Sequence, residues 1–213
     1  MIIDDDVNNF IRSNLKDSNN FLRKLELYAS ENFVPIAKPE TAAFLKTICA
    51  SKRPERILEA GTAIGYSSII MSEYLSLSGI VDTIEINEET ALIARKNIKE
   101  AGCQDKINVI IADASDVFKC MDKKYDMVFL DAAKGQYKDI LEDAKRVLNV
   151  GGILISDNVL FDGRVSKEAV GRKFRTIVIN MREYIEKLVQ DEKFETSILS
   201  VGDGLTFSVK LKD

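Results

Sequence analysis

Five acidic residues close five short apolar segments: Glu59, Glu85, Asp113, Asp131 and Asp157. One acid so placed is commonly a helix cap; five in succession supply oxygens for a polar cofactor and for a hard cation. Asp131 is followed three residues later by Lys134, and Asp157 stands in Ser156-Asp157-Asn158. Asp131, Asp157 and the amide oxygen of Asn158 form an oxygen-only donor set that suits Mg²⁺ or Mn²⁺ and leaves positions for water and two substrate oxygens. A lysine beside such a cation has its pKa pushed down and can take a proton from a hydroxyl. The plainer alternative for Lys134 is a solvated loop lysine.

The first acid introduces a glycine-bearing stretch, Glu59-Ala60-Gly61-Thr62-Ala63-Ile64-Gly65-Tyr66-Ser67. Gly61 and Gly65 permit a tight turn and a close main-chain approach to a ligand, ahead of a helix whose N-terminus faces the same place. The spacing Gly-x-x-x-Gly is not the Gly-x-Gly-x-x-Gly that seats a pyrophosphate. With Glu59 in front of it, the turn suits a ligand that has no phosphate and a cationic amino-acid end, as S-adenosylmethionine has. Packing of a helix on a strand also selects glycine. Glu85 lies 24 residues beyond Gly61, near the ~20 at which an acid meets ribose hydroxyls in doubly wound sheets. Asp113-Ala114, at the end of the next segment, is then placed at the adenine.

Composition narrows the chemistry further. There is no histidine, and Cys49, Cys103 and Cys120 are scattered. Zinc centres and Ser-His-Asp machinery are therefore excluded, so any base is Lys, Asp, Glu or Tyr. An odd, dispersed cysteine set argues against a disulfide framework and for the cytoplasm. No apolar run is long enough for a membrane span, and the acidic start is unlike a signal peptide. A net charge of −4 argues against broad nucleic-acid binding but not against a local basic patch.

These residues need a scaffold. Residues 4–50 read as a helical lead-in of two or three pieces, beside the sheet and covering the cofactor or acting as a plain cap. From 56 onwards strands at 56–60, 79–86, 106–112, 125–130 and 153–156 alternate with helices at 66–77, 88–101, 136–148 and a short one ending at 119. That rhythm predicts a doubly wound α/β sheet of five parallel strands. A helix at 174–188 and strands at 193–199 and 205–211 add an antiparallel edge hairpin. The whole chain, 1–213, reads as one domain: lead-in 1–50, cofactor and metal core 56–158, late helix and hairpin 171–211.

Four motifs in order, Glu59 to Ser67, Asp131-Ala132-Ala133-Lys134, Ser156-Asp157-Asn158-Val159-Leu160 and Val201-Gly202-Asp203-Gly204-Leu205, resemble the cation-dependent O-methyltransferases of catechol and caffeoyl-CoA type. The likeness runs from about residue 30 to the C-terminus. It implies a class I methyltransferase (Rossmann-like) fold and S-adenosylmethionine as methyl donor. It places Asp131, Asp157 and Asn158 on the metal, Lys134 with Asp131 in catalysis, and Glu59, Gly61, Gly65, Ser67, Glu85, Asp113, Ala114 and Asp131 about the cofactor. Within the family the chain looks most like the bacterial tRNA 5-hydroxyuridine methyltransferases, on Asp131 to Tyr137, Asn158 to Val165 and the Arg-Thr-Ile-Val that begins at Arg175.

Mg²⁺-dependent methyl transfer to a hydroxyl oxygen is the expected activity, with 5-hydroxyuridine at the tRNA wobble position giving 5-methoxyuridine. A catechol offers the same pair of adjacent oxygens, so a small-molecule enzyme acting on catechol-like phenols is the alternative. A non-enzymatic cofactor-binding module would have no use for Asp157, Asn158 and Lys134 together. Residues 164–187 hold seven basic side chains against three acids. Arg164, Arg172, Arg175 and Arg182 are the candidates for contact with an anticodon region, the alternative being a solvated helix face. A cytoplasmic homodimer is the expected setting.

Overall fold

The computed structural model describes residues 4–132 and 135–213; Lys134, the expected base, and Ala133 lie outside the described residues. Three helices come first, α1 (Asp5–Asn14), α2 (Asn20–Glu31) and α3 (Pro39–Lys52). Asp4 and Asn19 cap the first two through their side chains, and Pro39 starts the third, where its missing N–H costs nothing. Leu22, Leu25 and Ala29 of α2 and Leu45 and Cys49 of α3 enter the core, whereas α1 buries no residue.

The sheet is built from β1 (Arg56–Ala60), β2 (Ile80–Glu85), β3 (Ile107–Ile111), β4 (Tyr125–Leu130) and β5 (Leu148–Ser156), with α4 (Tyr66–Ser72), α5 (Glu88–Glu100), α6 (Ala114–Cys120) and α7 (Tyr137–Val147) between them. After α8 (Arg175–Val189) come β6 (Phe194–Leu199) and β7 (Leu205–Lys210). Strand order is β3-β2-β1-β4-β5-β7-β6. The first five are parallel, and β7 inserts antiparallel between β5 and β6. Successive side chains point to opposite faces: Ile57, Met127, Phe129 and Ile155 join the helices α2 to α5, while Leu58, Val128, Leu130 and Leu154 join α6 to α8. Among the described residues, no helix is long and apolar enough to cross a membrane.

From residue 56 onwards, two boundaries differ from the sequence expectation by more than one residue. Helix α4 ends at Ser72 rather than at 77, because Tyr74 N–H closes onto Met71 O and Ser76 N–H is claimed by Pro54 O at 3.1 Å. Strand β5 starts at Leu148, ahead of the Gly151-Gly152 pair. Its register against β4 jumps from Tyr125↔Leu148 to Met127↔Ile153, with Gly151 at φ +74° inside the irregularity.

Candidate active site

Strand order reverses between β1 and β4, the point at which doubly wound sheets bind ligands. A cavity of about 530 Å³ opens there. Gly61, Thr62, Ala63, Glu85, Asp113, Ala114, Asp131 and Asn158 line it, and the segment Pro35-Ile36-Ala37 forms a further wall. The lead-in therefore does reach the cavity, through the connection between α2 and α3.

Gly61 (φ +103°) and Gly65 (φ +87°) both occupy the left-handed region. At Gly61 a side chain is also excluded by space, since a Cβ would stand 2.4 Å from Asp131 O. The N–H groups of Gly61 and Thr62 both donate to Ile84 O, and Ala63 N–H donates to Glu85 Oε2 at 2.9 Å. Glu85 thus holds the loop with one oxygen and accepts from Asn87 N–H with the other. A carboxylate has lone pairs beyond these for a hydroxyl in the cavity.

Glu59 requires a correction. It was expected to touch the cofactor, yet it is fully buried and does not line the cavity. Its carboxylate accepts from the hydroxyls of Ser67, Ser68 and, at 2.6 Å, Thr83. Burial raises its pKa above the ordinary carboxylate value, against the lowering effect of those three hydroxyls. Glu59 therefore braces the start of α4 against β2 from beneath the loop. Ser67, by contrast, is on the cavity wall while its hydroxyl is turned to Glu59.

Asp113 caps α6 by accepting from Ser115 N–H at 2.8 Å, and its other oxygen accepts from Gln136 Nε2 at 3.2 Å. These bonds, that to the Ser115 main chain first, hold its carboxyl below the usual range despite some desolvation. Gln136, which also lines the cavity, was not singled out in the sequence.

At the ends of β4 and β5, register partners Leu130 and Ser156 are followed by Asp131 and by Asp157-Asn158. Asn158 Nδ2 donates to Asp131 Oδ1 at 3.2 Å, and Asn158 N–H donates to Asp157 Oδ1 at 2.6 Å. Asn158 sits at φ +61°, a conformation asparagine tolerates better than most residues. The turn Val201–Leu205 holds the segment after Asn158 in place. Val159 N–H donates to Gly204 O, Leu160 N–H to Asp203 O, and Asp162 N–H to Asp203 Oδ1 at 2.7 Å. Among the described residues no three His, Cys, Asp or Glu side chains gather as a metal centre; the donor set is two carboxylates and one amide. As it stands the amide presents its NH₂ to Asp131, and a half-turn of its terminal torsion presents the oxygen instead. Hard oxygen donors on two adjacent strand ends fit a divalent cation of the Mg²⁺ kind. Beneath them the buried phenol of Tyr137, also not singled out in the sequence, meets Leu130 O and Asp157 O.

The basic residues divide. Arg164 is stacked over the rings of Phe161 and Phe174, 4.9 and 4.5 Å from their centroids, and pairs with Asp162. Arg182 donates to Val165 O at 2.9 Å and to Lys167 O. Arg164 thus packs the 158–167 segment on Phe174, and Arg182 reaches it from α8. Arg172, Arg175 and Arg182 are exposed.

The O-methyltransferase family profile matches residues 13–211. A caffeoyl-CoA O-methyltransferase of Populus kitakamiensis is 32% identical over 79% of this chain and 75% of its own. Among solved structures, a proposed caffeoyl-CoA O-methyltransferase from Staphylococcus aureus is 35% identical, with TM-score 0.83 over 90% of this chain and 93% of that one. An O-methyltransferase from Bacillus cereus in complex with SAH is 26% identical, with TM-score 0.86 over 96% and 97%. The cavity at the switch point, the β3-β2-β1-β4-β5-β7-β6 sheet and these matches lead to one conclusion: the chain belongs to the O-methyltransferase family and is an S-adenosylmethionine-dependent enzyme.

Proposed function

We propose that this enzyme methylates a hydroxyl that has a second oxygen on the adjacent atom, using Mg²⁺ or Mn²⁺ held by Asp131, Asp157 and Asn158. The carrying observation is that Asp131 and Asn158, 3.2 Å apart, form the wall of the same cavity as Gly61 and Glu85. A divalent cation in that place supplies Lewis acidity, lowering the pKa of the acceptor hydroxyl. The chain's own residues do the rest. Glu85 binds the ribose, while Asp113, Ala114 and Gln136 bound the adenine end. Pro35-Ile36-Ala37 closes the cavity against water. Lys134 takes the hydroxyl proton as the oxygen–methyl bond forms and the sulfur–methyl bond breaks, leaving S-adenosylhomocysteine. Most of the acceleration comes from alignment of donor and acceptor.

The acceptor we favour is 5-hydroxyuridine at the tRNA wobble position. Its support outside the motifs is the rim of the site: Phe174 packs edge-on against Phe161, with ring centroids 5.6 Å apart. Exposed Arg172 and Arg175 on either side of Phe174 thereby stand next to the segment that carries Asn158, where phosphates of a bound loop would pass. The names of the plant and bacterial relatives favour a second reading, transfer to catechol-like phenols. Three unpaired cysteines fit a cytoplasmic setting. Incubation with labelled S-adenosylmethionine, Mg²⁺ and either tRNA carrying 5-hydroxyuridine or a catechol panel separates the two. Nucleoside analysis should show 5-methoxyuridine; label in catechols alone would establish the small-molecule enzyme.

A further inference from the structure

Tyr137 opens α7 and is 1% exposed. Its ring lies in the core between the sheet and α8, edge-on to Tyr184 with centroids 5.5 Å apart. Its hydroxyl alone reaches the strand ends. That hydroxyl has one proton, shared between Leu130 O at 2.9 Å and Asp157 O at 3.1 Å. Leu130 O also accepts Asp157 N–H at 2.9 Å.

The positions of these acceptors matter more than their number. The β4–β5 ladder ends at Leu130↔Ser156. Asp131 and Asp157 are the next residue on each strand. One phenol therefore ties the main chain at both carboxylates just where regular pairing stops. It also spans the connection 131–136, linking the end of β4 to the start of α7. A buried tyrosine needs a partner for its hydroxyl, and any carbonyl of the core would serve. Here both acceptors belong to the two peptide units that set how far apart the carboxylates stand. Mg²⁺ demands near-ideal octahedral spacing at short range, so that separation governs affinity.

We infer that Tyr137 is a positioning residue for the divalent cation, its phenol fixing the separation of the Asp131 and Asp157 carboxylates through Leu130 O and Asp157 O. This rests on the metal reading given above. The phenol touches neither cation nor substrate.

The test is Mn²⁺ binding followed by electron paramagnetic resonance, in the cold and with S-adenosylhomocysteine bound to keep weakened variants folded. Tyr137→Phe keeps the ring and removes the clasp. Tyr184→Phe removes a hydroxyl from the same core, one that faces Ser156 rather than the strand-end carbonyls. Tyr137→Phe should bind Mn²⁺ at least about tenfold more weakly, as loss of an outer partner of a metal site typically does. Tyr184→Phe should stay within about twofold of wild type, and both should bind S-adenosylhomocysteine as wild type does. Equal weakening in the two variants would mean a loosened core, and wild-type affinity in Tyr137→Phe would mean a merely buried tyrosine; either overturns the inference. Replacing Tyr137 by 4-fluorophenylalanine, which fills the 4-position but has no proton to donate, should likewise give an affinity below wild type even if the Phe variant does not fold, and an unchanged affinity there also overturns it. Failure of the wild type itself to bind Mn²⁺ would instead remove the metal reading on which the inference stands.

Discussion

A side chain on Gly61 would put its Cβ 2.4 Å from the carbonyl oxygen of Asp131. The loop after β1 and the residue that follows β4 are therefore packed backbone to backbone. Asp131 N–H donates to Ala60 O at 2.8 Å across the same junction.

Gly61→Ala should therefore disturb both the loop and the end of β4. Its φ of +103° is unfavourable for alanine, and the clash is with main chain that has no room to yield. Thermal stability should fall, by about 2 kcal/mol or more from conformation and overpacking together. Calorimetry should show affinity for S-adenosylhomocysteine reduced at least about tenfold. A variant with wild-type melting and affinity would show that the loop is free to move away from Asp131.

The buried Glu59 makes stability depend on pH with a definite sign. Its folded pKa lies above the ordinary carboxylate value, chiefly through burial. The native state therefore favours the protonated form, and that contribution is present at low pH and lost as pH rises through the folded pKa. Glu59→Gln does not titrate. Melting curves between about pH 5 and pH 8 should show wild type losing ground to Glu59→Gln as pH rises. A difference that is constant with pH, or that moves the other way, would contradict the assignment.

Glu85→Ala addresses the cofactor directly. It removes one acceptor of the Ala63 N–H and the proposed ribose contact, with no buried network at stake. A hydrogen bond to a charged group contributes roughly 1.5–3 kcal/mol, so affinity for S-adenosylhomocysteine should drop at least about tenfold. An unchanged dissociation constant would place the ribose elsewhere.

The basic residues give a split outcome. Arg172→Ala with Arg175→Ala should leave melting unchanged and lower the log–log salt slope of tRNA binding by about 1.4 to 1.8, at 0.7 to 0.9 per phosphate. Arg182→Ala should instead lower stability, because it releases Val165 O and Lys167 O. An unaltered slope in the double variant would favour the phenol-methylating reading.

Much of this arrangement was legible in the sequence where it depends on local pattern. Strands 56–60 and 125–130 coincide with β1 and β4 because each is a short apolar run with a sharp end. The acids at the strand ends follow from that alternation, and three of the five, Glu85, Asp113 and Asp131, line the cavity. What escaped depends on partners distant in sequence. Glu59 looks like a ligand-facing acid until Ser67, Ser68 and Thr83 are seen to enclose it. That Arg182 also holds Val165 O and Lys167 O, and that Arg164 stacks on Phe161 and Phe174, is not readable from spacing. Gly61 suggests a close approach to its backbone, and Asp131 O is the protein atom nearest to where its Cβ would stand, a neighbour 70 residues away in sequence. Tyr137 enters the sequence reading only as the last residue of the Asp131–Tyr137 likeness, with no role attached to it.

Asp131, Asp157 and Asn158 are expected to hold a cation without which the methyl group is not transferred. Chelator-stripped enzyme, assayed for methyl transfer to tRNA bearing 5-hydroxyuridine and to a catechol, tests it most directly. Transfer to whichever acceptor is used should fall to background and return on addition of Mg²⁺ or Mn²⁺, while affinity for S-adenosylhomocysteine stays unchanged. Full transfer by the stripped enzyme would contradict the account.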